Sequence, residues 1–409
     1  MFDKRSSIEK VTEMACCGCF GFSFIRNAKK VNGSRGLMNN TTCRDSLLED
    51  DDIEDDDQDD NFFDDSMIET GNVDHFEYQS PTKRAEELLM YRIQNGLICR
   101  ELPVKETHTL IRSEDENGKK TVNEYVRECK IGAGSYGKVA LYRSQIDGKQ
   151  YAIKAFHKSH LLKLRVAPSE TAMTDVIREI LIMRVLSHPN IVNLVEVIDD
   201  PTTDHLYMVM EYVEGKWAYQ STEPPGGLGE TTIRKYLHDV VSGLMYLHDH
   251  HIVHGDIKPD NLLVTASGTV KIGDFSVSQV FEDDNDELRR SPGTPVFTAP
   301  ECCLGLTYRG KAADTWALGV TLYYMVFGNY PFIGETLQDT YEKIVNNPLL
   351  LPGDINPLLK DLLEGLLCKD PKQRMSLEDI AHHSWVVEEE GPILQYSCWC
   401  KRSALLLLQ

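Results

Sequence analysis

The chain has 409 residues, which is enough for one or two domains with a full hydrophobic core and additional tails. Its formal net charge is −21, and so acidic a composition lacks the basic footprint of a nucleic-acid-binding surface. The 11 cysteines, an odd number, do not follow the spacing of a disulfide framework, which favours reduced thiols. We therefore expect a protein of the cytoplasm and nucleus that does not bind nucleic acid.

The first 105 residues are polar and acidic and lack sustained periodicity, except for a short helical pattern over Ala85 to Arg92. We predict a disordered acidic N-terminal region over residues 1–105, followed by a linker over residues 106–124. The densest acidic run lies between Glu49 and Asp65 and contains no basic residue. A solvated segment explains this run most simply, and a basic protein partner is the alternative.

A row of cysteines within Cys16–Cys19, followed by Lys29 and Lys30, is the one candidate membrane contact in the sequence. Acylated thiols beside cations would attach the chain loosely to a bilayer. A zinc site shared with Cys398 and Cys400 is a second alternative, although the usual paired spacing is missing. Free thiols in a solvated tail explain the row as well, so we expect no membrane contact through Cys16–Cys19.

From residue 125 the pattern changes to strands, and two of them flank a glycine-rich turn. Dinucleotide-binding folds use the same glycine spacing, but there the loop opens a helix, whereas here a second strand follows. Glycines in such a hairpin let backbone amides approach phosphate groups without intervening side chains. The hairpin resembles the lid over ATP in protein kinases, and this resemblance implies the nucleotide-binding residues Ile131, Gly132, Ala133, Gly134, Ser135, Tyr136, Gly137, Lys138 and Val139.

The next strand, Tyr151 to Phe156, alternates so that Lys154 lies on an apolar face. In the helix that follows, Glu179 falls among apolar positions of one face. A buried charge is costly unless it is paired. We therefore predict an ion pair between Lys154 and Glu179, and a solvated, unconnected pair is the alternative.

The run from His254 to Asn261 gathers an acid, an ammonium group and an amide, and two short apolar strands separate it from Asp274. In phosphoryl transfer, Asp256 can orient and deprotonate a hydroxyl, and Lys258 can neutralise the transferring phosphate. Asn261 and Asp274 offer hard oxygen ligands for Mg²⁺. Turns also attract Asp, Asn and Gly, but both groups in this order favour a catalytic site over that alternative.

The second half of the chain reads as helical. Thr231 to His250 is amphipathic, and the helix from Asp314 to Phe327 is apolar nearly all round, hence buried. Between them, Glu282 to Arg290 reads as mobile. We expect the fold to close near Trp385.

In this order, the motifs resemble those of eukaryotic protein kinases from about Tyr125 to Trp385. Lys258, two residues after Asp256, resembles the serine/threonine branch, as does Gly293-Thr294-Pro295 before Ala299-Pro300-Glu301. The segment Lys158 to Thr174 looks like that of upstream kinases of AMP-activated-type kinases. The runs His254-Gly255-Asp256 and Asp274-Phe275-Ser276 are similar to those of the plant geminivirus Rep-interacting kinases.

This resemblance implies an α+β, bilobal protein kinase fold with a small β-rich N-lobe and a larger helical C-lobe, preceded by the disordered acidic region. The implied bounds are an N-lobe at 125–210, a hinge at 211–214, a C-lobe at 215–385 and a C-terminal tail at 386–409. It also implies ATP and Mg²⁺ as cofactors. Met210 would be the gatekeeper, and the backbone of Glu211 and Val213 would face adenine. Asp314 would brace the catalytic loop.

The implied roles divide into two sets. The catalytic residues are Asp256, Lys258, Lys154 and Glu179, and the metal ligands are Asn261 and Asp274. The implied activity is phosphorylation of an activation-loop threonine in plant SNF1-related, AMP-activated-type kinases, with autophosphorylation. A viral replication protein is a further partner implied by the family.

Two residues depart from the kinase pattern. Gly255 replaces the arginine that normally docks a phosphorylated activation loop, so we expect phosphorylation of that loop, at Ser291 for example, to matter less for activity than in arginine-bearing kinases. Ser276 replaces a glycine and is expected to stiffen the loop after Asp274. A pseudokinase scaffold is the alternative that these departures suggest, but every group that phosphoryl transfer requires is retained.

Regulation is expected instead at three hydroxyls ahead of the Glu179 helix, namely Ser169, Thr171 and Thr174, with Thr171 as first choice. A phosphate at a helix N-terminus meets free N–H groups and a favourable dipole, whereas the alternative is that these hydroxyls only cap the helix. Calmodulin regulation is a further alternative, but Val386 to Gln409 lacks a basic amphipathic target helix.

Overall fold

The computed structural model describes residues 81–400, with gaps at 116–117, 168–169, 216–217, 219–227, 283–284, 290, 292, 306 and 397, and describes side chains from residue 84 onward. Within this range a β-rich N-terminal lobe is followed by a mostly helical C-terminal lobe. No described helix is both long enough and apolar enough to cross a bilayer.

The elements of the N-terminal lobe are, in chain order, α1 (Pro81–Gln94), β1 (Lys105–Thr107), β2 (Arg112–Glu114), β3 (Lys120–Val122), β4 (Tyr125–Ala133), β5 (Lys138–Ser144), β6 (Gln150–His157), α2 (Lys158–Lys163), β7 (Arg165–Ala167), β8 (Glu170–Thr171), α3 (Ala172–Val185), β9 (Leu194–Asp199) and β10 (His205–Glu211). Eight of these strands form one sheet in the order β1-β9-β10-β6-β5-β4-β3-β2. Strand β6 lies inside this sheet and is antiparallel to both β5 and β10, which places Lys154 opposite Val139 and Met208.

The elements of the C-terminal lobe are α4 (Glu230–Asp249), β11 (Ile252–Val253), β12 (Leu262–Val264), β13 (Val270–Ile272), β14 (Gln279–Val280), β15 (Glu287–Leu288), α5 (Pro300–Cys303), β16 (Tyr308–Arg309), α6 (Gly310–Phe327), α7 (Leu337–Asn346), α8 (Pro357–Leu366), α9 (Leu377–His382) and α10 (Ser384–Glu390). The predicted strands around the turn at Ser267 pair as an antiparallel hairpin of β12 and β13. Helix α4 buries one apolar stripe, and α6 is buried on most sides, as their patterns predicted.

The predicted linker at 106–124 is wrong, because this segment contains β2, β3 and most of β1, and all three strands belong to the main sheet. Strand β1 runs parallel to β9, where the carboxylate of the fully buried Glu196 accepts hydrogen bonds from Lys105 (3.0 Å) and the Tyr125 hydroxyl (2.7 Å). The strands are three residues long and polar, so they carry no hydrophobic alternation. Strand β1 is held by a partner distant in sequence, β9, whereas β2 and β3 pair with each other and with β4.

The predicted disordered region also extends too far toward the fold. The short helix expected over Ala85 to Arg92 is present but longer, as α1; Ala85 is buried, and Leu89 belongs to the main core. Leu89 is fully buried. The described part of this region, from residue 84, therefore belongs to the folded unit. The acidic run at 49–65 and Cys16–Cys19 lie outside the described residues.

The predicted kinase domain closes near Trp385, but the folded chain continues beyond this residue. Helix α10 continues to Glu390, and beyond it Ile393 and Cys398 are buried. The described part of the predicted tail at 386–409 thus packs on the C-terminal lobe. The described residues of the segment read as mobile after Glu282 are also anchored, since β15 pairs with β16 and the Asp286 carboxylate accepts a hydrogen bond from Arg309 (2.8 Å).

Candidate active site

The glycine-rich turn is a tight hairpin between β4 and β5, in which the amide of Gly134 donates to the Gly137 carbonyl at 2.8 Å. A Cβ on Gly137 would lie 2.5 Å from the Ala155 carbonyl oxygen, and one on Gly134 would lie 3.1 Å from Lys154 Cε. Side chains at these positions would push the hairpin away from β6. The glycines therefore let the predicted phosphate-binding loop lie directly over Lys154.

The predicted ion pair between Lys154 and Glu179 is present. Lys154 Nζ donates to both oxygens of Glu179 at 2.9 Å, and both side chains are almost fully buried. The Nζ atom also lies 3.8 Å from Asp274 Oδ1. Burial alone would lower the pKa of Lys154, but the two carboxylates outweigh it and raise this pKa. Lys154 is therefore an ammonium group at neutral pH.

Helix α3 positions Glu179. It begins after Thr171, which is its N-cap residue, and the chain leaves helical geometry at Leu186, shortly before Pro189. The hydroxyl of Tyr136 in the glycine hairpin donates to Asp175 of this helix at 2.9 Å. The hairpin and the helix that hold opposite sides of Lys154 are thus tied to each other.

Two side chains, Lys258 of the catalytic loop and Thr294 of the activation segment, meet at Asp256. Lys258 Nζ donates to Asp256 Oδ2 at 2.6 Å and to the Thr294 hydroxyl oxygen at 2.7 Å. Thr294 in turn donates its hydroxyl (2.7 Å) and its amide (2.9 Å) to Asp256 Oδ1. Both carboxylate oxygens of Asp256 therefore have a fixed orientation.

Asn261 closes the same loop through its amide nitrogen, which donates to the Asp256 carbonyl at 2.8 Å and to Asp256 Oδ2 at 3.1 Å. With the nitrogen so placed, the amide oxygen is the atom that Asn261 presents as a ligand. An oxygen of this kind, together with a carboxylate, suits a hard cation.

Asp274 supplies that carboxylate from the turn after β13, with a left-handed backbone (φ 59°). Burial would raise the pKa of Asp274, but the ammonium of Lys154 and a hydrogen bond from Ser276 hold it below its ordinary value. The next residue, Phe275, is buried, and the centroid of its ring lies 5.1 Å from the ring centroid of His254. Asp274 is therefore an ionised group held by packing on one side and by Lys154 on the other.

A buried carboxylate, Asp314 at the start of α6, fixes the backbone of the catalytic loop. Asp314 accepts from the amides of His254 (2.9 Å) and Gly255 (2.8 Å) and from His248 Nε2 (2.8 Å). His254 Nε2 donates to the Gly273 carbonyl at 3.1 Å. The loop that carries Asp256 and the turn that carries Asp274 are thereby joined through one histidine.

The two departures from the kinase pattern have clear positions. Gly255 has φ +80°, a left-handed conformation that side chains rarely adopt, and a Cβ there would lie 3.3 Å from the Val277 carbonyl. In the Asp274-Phe275-Ser276 triplet, the left-handed residue is Asp274 and not Ser276. Serine is therefore accommodated at 276 without backbone strain.

The predicted hinge follows β10. Met210 is half-buried and lies opposite Ala152 of β6. The amide of Glu211 donates to the Asn193 carbonyl at 2.9 Å, so its own carbonyl is the atom that the predicted adenine contact would use. Val213 is buried.

Comparison with known proteins agrees with this geometry, because residues 125–386 match the family model for the protein kinase domain. The chain belongs to the protein kinase family. It is 72% identical over 327 residues to serine/threonine-protein kinase GRIK2 of Arabidopsis thaliana, an alignment that covers 80% of each chain. GRIK1 of the same plant is 70% identical over 328 residues, which cover 80% of this kinase and 83% of GRIK1.

A calcium/calmodulin-dependent protein kinase kinase of Caenorhabditis elegans is more distant, at 41% identity over 290 residues that cover 66% of this kinase and 53% of the worm protein. The predicted resemblance to geminivirus Rep-interacting kinases is therefore confirmed, as is the bilobal kinase fold. The chain is a serine/threonine protein kinase, and its family uses ATP as the phosphoryl donor.

The structure describes three of the four predicted regulatory hydroxyls. Thr171 and Thr174 are half-buried at the start of α3, and the Thr171 amide donates to the Thr174 hydroxyl oxygen at 3.4 Å. Ser291 is exposed in the activation segment. Ser169 lies outside the described residues.

One residue of the site was missing from the sequence-based set. Thr294 contacts both Asp256 and Lys258, yet its motif served only to indicate the serine/threonine branch. The available signal in the sequence was Gly293, the residue just before Thr294. The structure explains this glycine, because a Cβ there would lie 2.4 Å from the Gly255 carbonyl oxygen. That close approach brings the activation segment onto the catalytic loop.

Proposed function

We propose that this kinase transfers the γ-phosphate of ATP to an activation-loop threonine of an SNF1-related, AMP-activated-type kinase. The identity of 72% to GRIK2 and 70% to GRIK1 carries the choice of substrate, by family resemblance. The assembled site supports the chemistry. All groups that phosphoryl transfer needs are present, and the Lys154–Glu179 pair is formed.

Asp256 is proposed as the group that orients the substrate hydroxyl and accepts its proton. Its two oxygens are fixed by Thr294 and Lys258, so a hydroxyl that approaches it meets one defined direction. Lys258, an ammonium group on this loop, is proposed to neutralise charge on the transferring phosphate. Lys154 is proposed to hold the α- and β-phosphates from the opposite lobe.

The donor set of Asn261 and Asp274 fits Mg²⁺, because one offers an amide oxygen and the other a carboxylate whose pKa is lowered. Bound Mg²⁺ would neutralise the charge that develops on the phosphate oxygens. Asp274 keeps its position through the Ser276 amide and Lys154, and Asn261 keeps its own through Asp256. The chain itself thus sets the direction of both ligands.

The pseudokinase scaffold remains the rival function that Gly255 and Ser276 suggest. The intact contacts of Lys154, Glu179 and Asp256 favour the enzyme, because a scaffold needs none of them. Interaction with a viral replication protein is a further proposal that rests on the family's name alone. Location in cytoplasm and nucleus stays a prediction based on cysteine usage.

The test is to incubate the purified protein with Mg²⁺–ATP and a catalytically dead SNF1-related kinase, and to map the modified residue by mass spectrometry. We expect one main phosphothreonine in the activation loop of the substrate. An Asp256→Asn variant should lose this activity while it keeps the wild-type melting temperature. A substrate whose activation-loop threonine is changed to alanine should remain unmodified. Labelling elsewhere in the substrate, or equal labelling by the Asp256→Asn variant, would overturn the proposal.

A further inference from the structure

Four side chains of the types that bind zinc lie together on the C-terminal lobe, beside the end of α4. They are Cys99, His250, Cys398 and Cys400, and their ligand atoms all lie within 4.8 Å of one another. We call this group the Cys3His cluster. It brings together residues up to 301 positions apart in the sequence. The sequence had suggested Cys398 and Cys400 as partners of Cys16–Cys19, whereas the structure gives them Cys99 and His250.

The distances suit a tetrahedral ion. Cys99 Sγ lies 3.6 Å from Cys400 Sγ, and His250 Nε2 lies 3.3 Å from Cys398 Sγ and 3.4 Å from Cys400 Sγ. Zinc–ligand bonds of about 2.0–2.3 Å place tetrahedral ligand atoms roughly 3.4–3.8 Å apart. The Sγ atoms of Cys398 and Cys400 lie 2.6 Å apart and must separate by about 1 Å to reach this spacing. The two remaining pairs, Cys99 with Cys398 and Cys99 with His250, lie within 4.8 Å.

The histidine is already in the tautomer that a metal requires. Nδ1 of His250 donates to the Tyr246 carbonyl at 2.7 Å, so the lone pair of Nε2 faces the thiols. A hydrogen bond from the second ring nitrogen to a backbone carbonyl is the usual support of a metal-binding histidine, because it fixes the ring orientation.

The segments that carry the ligands are held independently of any ion. The amide of Cys99 donates to the Val185 carbonyl at 2.8 Å. The ring of Tyr396 packs against His188 at 4.5 Å and anchors the chain just before Cys398. Cys99 and Cys398 are buried. These contacts preorganise the cluster and favour affinity, because little chain entropy remains to be lost on binding.

Charge at the cluster is also balanced. Three thiolates and one Zn²⁺ leave a single net negative charge, and the guanidinium of Arg92 lies alongside, where it donates to the His250 carbonyl at 3.0 Å. All four ligand positions are filled by protein atoms, which is the pattern of a structural zinc site and leaves no open position for catalysis.

We propose that Cys99, His250, Cys398 and Cys400 bind one structural Zn²⁺ ion that fastens the C-terminal segment to the end of α4 and to the chain that follows α1. Binding replaces the thiol protons, so up to three protons are released as three zinc–sulfur bonds form and no electron is transferred. His250 precedes the catalytic loop by four residues, so the ion would stiffen the point at which that loop begins.

The first experiment measures metal in the full-length protein, purified in a thiol reductant without chelator and passed through gel filtration. We expect inductively coupled plasma mass spectrometry to find about one equivalent of zinc per chain. Cys400→Ser and His250→Gln should each lose most of it. Cys368→Ser is the matched control, because Cys368 is a free, half-buried cysteine outside the cluster, and this variant should keep its zinc.

The second experiment replaces the metal with Co²⁺ and records the visible spectrum. The wild type and Cys368→Ser should show the bands of tetrahedral cobalt together with thiolate-to-cobalt charge transfer, and Cys400→Ser should lose them. A strong chelator should lower the melting temperature of the wild type and of Cys368→Ser by at least about 5 °C, and that of Cys400→Ser much less.

The proposal fails if the wild type holds no more zinc than Cys400→Ser, or if both cluster variants keep the full equivalent. It fails equally if the cobalt spectrum of the wild type has no charge-transfer band, a test that does not depend on any variant folding. Peptide mapping of the reductant-purified protein that finds a disulfide among these three cysteines would assign the cluster to redox chemistry and overturn zinc binding.

Discussion

Arg374 donates two parallel hydrogen bonds to the carboxylate of Glu301, at 2.7 Å and 2.8 Å, across 73 positions of sequence. Its side chain is 1% exposed and also donates to the Ala312 carbonyl at 2.8 Å. The pair joins the end of the activation segment, in α5, to the turn before α9. Planar, bidentate contacts of this kind fix geometry as well as charge.

Removal of one partner of this pair should be costly, because it leaves a buried guanidinium without its counter-charge. We expect Glu301→Gln to lower the free energy of unfolding by about 3 kcal/mol, measured by urea denaturation. Glu364→Gln is the control, since its pair with Lys360 is more than half exposed and should contribute less than about 0.5 kcal/mol. Equal losses in both variants would contradict the expectation.

Thr294 should matter for turnover more than for nucleotide binding, since it contacts Asp256 and Lys258. We expect Thr294→Ala to lower kcat about tenfold while the KM for ATP stays within about twofold. Thr294→Ser keeps the hydroxyl and should retain most of the activity. The test is to measure the steady-state kinetics of both variants and of the wild type, after checking that their melting temperatures agree. A serine variant as slow as the alanine variant would show that the hydroxyl is not the cause.

The catalytic site could be predicted from sequence because its charges stand out locally. Lys154 and Glu179 interrupt apolar faces, and Asp256 and Asp274 flank two short apolar strands. Strand β1 had no such signal, because its polar residues satisfy a buried carboxylate 91 positions away, at Glu196. The four ligands of the Cys3His cluster likewise become neighbours only through tertiary contacts. Local pattern therefore revealed the reacting groups but missed the folded segments on either side of the predicted kinase domain.

Helix α1 should contribute to stability, although the sequence suggested a disordered region around it. Leu89 is fully buried, so Leu89→Ala should lower the free energy of unfolding by about 2–4 kcal/mol through lost burial and the cavity left behind. Leu97→Ala is the control, because Leu97 is 52% exposed and its truncation should change stability by less than about 0.5 kcal/mol. Denaturant titration that finds equal effects would place α1 outside the cooperative core.

Phosphorylation of Thr171 should favour the active arrangement. Thr171 is the N-cap of the 14-residue helix that carries Glu179, and its side chain already accepts a hydrogen bond from the backbone of the first turn. A phosphate there would strengthen this cap and meet the positive end of the helix dipole. We expect mass spectrometry of active enzyme to find phosphate on Thr171, and Thr171→Ala to lower kcat several-fold. Thr174→Ala, which removes a capping contact and the neighbouring candidate hydroxyl, is the comparison and should lower kcat less than Thr171→Ala. Active enzyme with an unmodified Thr171 would refute the idea.

Phosphorylation of the activation segment, by contrast, should be dispensable. A phosphate at Ser291 would need a cation to order the segment, and the residue that supplies it in arginine-bearing kinases is here Gly255, whose φ of +80° favours glycine. The segment is already fastened to the catalytic loop by Thr294 and Asp256. We therefore expect Ser291→Ala to keep turnover within about twofold of the wild type, since no charge-assisted contact is lost. If Ser291→Ala lost turnover while its melting temperature stayed unchanged, the prediction would be wrong. The contacts of Thr294 would then be insufficient to hold the unphosphorylated segment.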